Sequence, residues 1–189
     1  MSDWKCEIKN WDKITLETAH LFFAQAEKML ESTNDVNGQL ISKSHKIIMM
    51  SVPLISLVSG YFLSLIRDKE FSSVESVSCI VFIVSLAICL FYSLKVWKPK
   101  TEYFKGSRPR NLMNPEFIRD DNQQTQTLQI LFSECHSFET RIDANIRHNL
   151  TYSKILSKAI WWFILSPFIA LATYAIVIFL SQIHQYRFL

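Results

Sequence analysis

Residues 159–186 read AIWWFILSPFIALATYAIVIFLSQIHQY, a run of 28 positions with no Asp, Glu, Lys or Arg. About 20 apolar residues cross a hydrocarbon core of about 30 Å as a helix. Lipid offers no partner to a backbone amide, so a bilayer-spanning run of this length is helical. Two more runs, Ile47–Ile66 and Ser76–Leu94, are equally free of charge. Together the three take up roughly a third of the 189 residues. Only three glycines occur, Gly38, Gly60 and Gly106, which argues against turn-rich β architecture and against phosphate-cradling loops. The sequence therefore predicts an all-α membrane protein. It has three transmembrane helices, with two long cytoplasmic amphipathic helices continuous with spans one and three.

Upstream of residue 159 the helical pattern continues. Leu128, Leu131, Cys135, Phe138, Ile142, Asn145, Asn149, Tyr152, Leu156 and Ala159 advance by alternate steps of 3 and 4, the spacing of a helical seam. No breaker separates that seam from Trp161-Trp162, a pair suited to a membrane interface. A helix from Asn122 to Ile183 would be about 93 Å long at about 1.5 Å per residue. Pro167 is expected to kink it inside the membrane. Asp120-Asp121-Asn122 supply capping and acidic first-turn residues. Before them, Pro99, Pro109 and Pro115 make 98–115 an irregular connection.

Near the N-terminus, Phe22, Ala26, Met29, Thr33, Val36 and Leu40 also fall on helical steps. Asn34-Asp35 and Asn37-Gly38 are candidate interruptions. No proline precedes Pro53, the second expected kink, so this helix can enter span one unbroken. The expected division is a cytoplasmic helix over 1–46 and a transmembrane hairpin over 47–97, with spans 47–66 and 76–97. A cytoplasmic linker and helix follow over 98–158, then a third span over 159–183 and a short external tail over 184–189.

Six lysines precede span one and eleven Lys or Arg lie from Lys95 to Lys158, whereas the hairpin turn has Arg67 and Lys69 and the tail only Arg187. By the positive-inside rule the N-terminus and the middle segment are cytoplasmic. That bias accounts for the net charge of +3, and no basic run is interleaved with aromatics as nucleic-acid grooves require. Met1–Leu16 has no apolar core of a cleavable signal. The four cysteines form no CxxC pair, and the five histidines show no HExxH spacing. No disulfide framework, metal site or cofactor is expected.

Span one carries Ser56, Gly60 and Ser64 at i, i+4 and i+8, a stripe that admits close helix approach. Span two presents Ser78, Ser85, Cys89 and Ser93 near one face. Both read first as packing surfaces, and second as a polar lining exposed when several copies assemble. Asn145 and Asn149 in the α-helical seam fix register or oligomeric state if buried there. Arg141 beside them has a second reading, since Arg141 and His148 match the Arg-x4–6-His pattern of HEPN-like ribonucleases. The spans hold no ionisable group of the kind that transporters and pumps place at mid-membrane.

Two stretches carry a resemblance. Ala24-Gln25-Ala26-Glu27-Lys28-Met29-Leu30, through Lys43 and Lys46 into span one, resembles the entry helix of small membrane effectors of bacterial anti-phage systems. Phe138-Glu139-Thr140-Arg141-Ile142-Asp143-Ala144-Asn145, through Asn149 into span three, is similar to the helix that re-enters the membrane in those proteins. Such effectors accompany Pycsar, CBASS and some retron operons. The resemblance implies a non-enzymatic, homo-oligomeric protein of the bacterial inner membrane, with its N-terminus in the cytoplasm. On activation it permeabilises or depolarises that membrane and aborts infection. It also implies a cytoplasmic sensing partner, a reverse transcriptase–RNA complex or a nucleotide-signalling enzyme. The short middle segment leaves little room for a nucleotide-sensing domain, which favours the former. A non-pore accessory scaffold, like the small membrane proteins of Cas13b-type CRISPR systems, is the alternative.

Overall fold

The computed structural model describes residues 13–67, 73–98 and 123–186. Three helices account for nearly all of them: α1 (Leu16–Arg67), α2 (Ser73–Trp97) and α3 (Gln123–Tyr186). No strand occurs among the described residues. Each helix contains a segment long and apolar enough to cross a membrane. The architecture is all-α, with three candidate membrane spans.

Helix α1 starts where its chemistry allows. Thr15 accepts the Thr18 amide on its hydroxyl at 3.2 Å, and its carbonyl takes the first helical bond from Ala19 at 3.1 Å. This satisfies donors that a helix start otherwise leaves bare. Glu17 adds a favourable charge to the first turn. The helix then runs 52 residues through Asn34-Asp35, Asn37-Gly38 and Pro53 without a break. The candidate interruptions do not break the helix, and Asn34 Oδ1 accepts a bond from Asn145 of the partner helix. Helix α3 likewise continues through Pro167 for 64 residues. The capping residues Asp120–Asn122 and the linker prolines lie outside the described residues.

Packing divides the chain into two units. The first takes residues 1–38 and 100–150. Its core is Leu30 against Phe138 and Ile142, with Phe23 and Ala26 packed on them. Phe23 and Phe138 meet at 5.3 Å between centroids. The second unit takes residues 39–99 and 151–189. There Leu40, Val96, Tyr152 and Leu156 form a core flanked by Ile47 and Ile155. Many large apolar side chains of this unit point outward, among them Leu57, Leu63, Phe168, Leu171 and Phe179. An apolar exterior of that extent fits lipid contact and would be a liability in water.

The α3 seam is occupied as its spacing predicts, with Leu128, Phe138, Ile142, Asn145, Tyr152, Leu156 and Ala159 all buried. The α1 seam differs from the expected one. Phe22, Met29 and Val36 are 50%, 48% and 43% exposed, and the buried track instead uses Phe23, Leu30 and Asn37 with Ala26, Thr33 and Leu40. One residue is about 100° of rotation, so with three of six positions shared the face turns by about 50°. The reason is polar. Only that rotation presents Thr33 and Asn34 together to the asparagines of α3.

Candidate functional site

Within the first unit, α1 and α3 are joined by an amide cluster. The Asn145 side-chain NH2 donates to Asn34 Oδ1 at 2.8 Å and to Thr33 Oγ1 at 3.3 Å. Thr33 Oγ1 in turn donates to the Leu30 carbonyl at 2.8 Å. One turn along α3, Asn149 Nδ2 donates to the Thr33 carbonyl at 2.8 Å. Two donors from one helix thus converge on a single residue of the other. Asn145 and Thr33 are buried, so losing either partner would strand the rest without water.

The cluster specifies register. Sliding α3 by one heptad would set Asn145 against Ala26 or Leu40 in place of Thr33, and neither side chain accepts a hydrogen bond. The flanking Leu30–Phe138–Ile142 core discriminates less sharply, because an apolar side chain can pack on any apolar neighbour. Polar pairing supplies the specificity that apolar packing lacks. Arg141, the third residue singled out in the seam, is half-buried with its guanidinium 5.7 Å from the Phe138 ring centroid. It stacks on the core one turn before the amides. His148 is exposed. Seven residues separate it from Arg141, about 10 Å of rise along one helix.

In the second unit, α1 and α2 share a ladder of small polar side chains. Ser44 Oγ donates to the Ser93 carbonyl at 2.7 Å, and seven residues on Ser51 Oγ meets Cys89 Sγ at 3.8 Å. Ser44, Ser51, Cys89 and Ser93 are completely buried, and Ser85 nearly so. Ser85 donates to the Val81 carbonyl of its own helix. Small side chains let the two helices approach where lipid provides no hydrophobic drive. Two turns beyond Ser51 the seam loosens into a cleft of about 250 Å³ lined by Leu57, Val58, Tyr61, Ser78, Cys79, Phe82 and Ala170. At the other end His45 lies 6.4 Å from Trp97, and Lys95 sits 4.4 Å over the Phe91 ring. These are the amphipathic side chains that suit an interface.

The Ser56–Gly60–Ser64 stripe does not enter this ladder. Ser56 and Gly60 are exposed, and a Cβ added at Gly60 would meet nothing within 4 Å. Ser56 and Ser64 donate to the Val52 and Tyr61 carbonyls of their own helix. Pro53 is exposed within α1. Pro167 has a specific compensation. Lacking an N–H, it leaves the Phe163 carbonyl without its helical donor, and buried Ser166 Oγ donates to that carbonyl at 2.9 Å.

Sequence reasoning placed the α3 asparagines in a seam but missed their acceptors, and it missed Ser44, Ser51 and Ser166 altogether. A signal existed: Leu30, Asn37, Ser44, Ser51, Val58 and Leu65 recur every seven residues and are all buried or half-buried. No cluster of His, Cys, Asp and Glu able to hold a metal occurs among the described residues. No protein-family model, characterised protein or solved structure matches the chain.

Proposed function

We propose that this chain is a non-enzymatic membrane effector of bacterial anti-phage defence, acting in the inner membrane with its N-terminus in the cytoplasm. Its activated form permeabilises or depolarises the membrane and thereby aborts infection. A sensing partner, a reverse transcriptase–RNA complex or a nucleotide-signalling enzyme, holds it quiet, and release or assembly into a homo-oligomer activates it. The observation that carries this reading is that α1 and α3 each pass unbroken from a water-type packing unit into an apolar segment. A rigid helix that is gripped at one end transmits rotation or translation to the other. The Thr33–Asn34–Asn145–Asn149 cluster gives the grip a discrete register, and a switch needs discrete states.

The test is expression without neighbouring genes. A potential-sensitive dye should report collapse of the membrane potential soon after induction. A culture that stays fully polarised with the protein present in its membranes would sink the proposal.

One observation favours a second reading. Phe22, Met29 and Val36 lie half-exposed at seven-residue intervals on the first unit's part of α1. Such a row suits a docking protein, as the accessory-scaffold alternative requires. Purified protein in dye-loaded liposomes separates the two, because a scaffold leaves the dye inside.

A further inference from the structure

We infer that the α1–α2 seam, lined by Ser44, Ser51, Cys89 and Ser93, is the water path of the permeabilising state and opens when these two helices part. The inference rests on the permeabilising activity proposed above and names where in the molecule it resides.

Ser44 and Ser51 bond across the seam, but packing does not explain the Ser93 hydroxyl. Alanine at 93 is as small as serine, and it would let α1 and α2 approach equally well with nothing polar to bury. Ser93 is completely buried, yet its Oγ finds no hydrogen-bond acceptor of acceptable geometry. Its side-chain partner is the thiol of Cys89, a weak acceptor. An unsatisfied buried hydroxyl costs on the order of 1 kcal/mol or more in the closed state. That cost is recovered if the same face is hydrated in another state.

The seam also contains its own dry barrier. Continuing by heptads from Ser51 leads to Val58, and stepping back seven from Cys89 leads to Phe82. Both line the cleft of about 250 Å³. Leu57, Val58, Phe82 and Ala170 make much of its wall and the Ser78 hydroxyl is spent on the Val74 carbonyl, so water there would find few partners. A hydroxyl-lined stretch in series with an apolar one is a conduction path that is shut while water is excluded from the apolar part and opened by modest widening. The outward Ser56–Gly60–Ser64 face is a poorer lining. It faces outward, with Ser56 and Gly60 exposed and nothing within 4 Å of a Cβ placed at Gly60.

The native Cys89 thiol is the reporter. In a chain with Cys6→Ser, Cys79→Ala and Cys135→Ser, cells are treated from outside with a charged, membrane-impermeant methanethiosulfonate. Dye readings track polarisation, and labelling of Cys89 is measured on the recovered protein. A thiol enclosed in packed helices is inert. The expectation is labelling at least about tenfold faster in depolarised cells than in cells still polarised, with the leak altered by the attached group. A companion chain carries Cys89→Ala and Gly60→Cys in the same background, and its thiol is expected to stay unlabelled. Depolarisation with Cys89 unreactive, or with residue 60 reactive in its place, overturns the inference and leaves the proposed function standing. No depolarisation by any variant found in the membrane removes the proposed function and this inference with it. As a second reading that does not depend on thiol chemistry, Ser51→Ala with Ser93→Ala should preserve membrane levels and slow the leak several-fold. An unchanged leak counts against the seam.

Discussion

The two packing units hold α1 to a neighbouring helix by opposite means, to α3 in one and to α2 in the other. In the unit containing Leu30 and Phe138, large side chains bury apolar area and an amide cluster fixes the register. In the unit containing the apolar segments, serines and a cysteine allow close approach, while the bulky side chains turn outward. Water rewards removal of apolar surface at about 25 cal/mol per Å², so the aqueous pairing is built on size. Lipid gives no such reward, so the spans are built on fit. The lesson is that one face of α1, with one heptad spacing, carries a different chemistry in each unit.

That contrast is open to attack by mutation. The largest expected effect is Phe138→Ala, which empties the aqueous core and should lower stability by about 3–5 kcal/mol in a thermal or chemical melt of the purified protein. A loss below about 1 kcal/mol would mean that size is not what holds this unit. Next is Asn145→Ala. It removes the donor that Thr33 Oγ1 and Asn34 Oδ1 share across the two helices and should cost about 1–3 kcal/mol. Asn145→Leu tests register as well, since crosslinks between α1 and α3 placed at the wild-type spacing should lose efficiency if the helices slip. In the other unit Ser93→Ala should change stability by no more than about 1 kcal/mol, and not downward, because it removes a hydroxyl with no acceptor. A drop as large as that of Asn145→Ala would erase the distinction between the two seams. The smallest effect is Gly38→Ala. The added methyl meets nothing within 4 Å, so the helix should gain about 0.5–1 kcal/mol.

The membrane runs and the α3 seam were legible because both signals are local. Absence of charge over 20 residues needs no partner to interpret, and alternating steps of 3 and 4 mark a face whatever lies across from it. The α1 face was not legible in the same way. Apolar content points to Phe22, Met29 and Val36, whereas the packed face is set by where Asn145 and Asn149 need acceptors, a fact written 110 residues away. Asn34 illustrates the same limit: local propensity marks it as a breaker, yet it lies inside the helix and accepts a tertiary hydrogen bond. Ser44 and Ser51 went unread because hydrophobicity was taken as the sign of burial, a rule that belongs to water. The Gly60 stripe shows the converse. Its small residues permit a close neighbour, but among the described residues nothing comes within 4 Å of a Cβ placed at Gly60.

The Ser166 hydroxyl resting on the Phe163 carbonyl reaches beyond local bonding. A proline ordinarily makes a helix bend at the expense of a bare oxygen facing hydrocarbon, and the oxygen then resists any motion that uncovers it further. With a hydroxyl riding on that oxygen, the third apolar segment can flex about residue 167 while its polar atoms stay covered throughout. The stiffness of that joint is governed by side-chain crowding alone, so Ser166→Ala should leave a span of the same length that is harder to move.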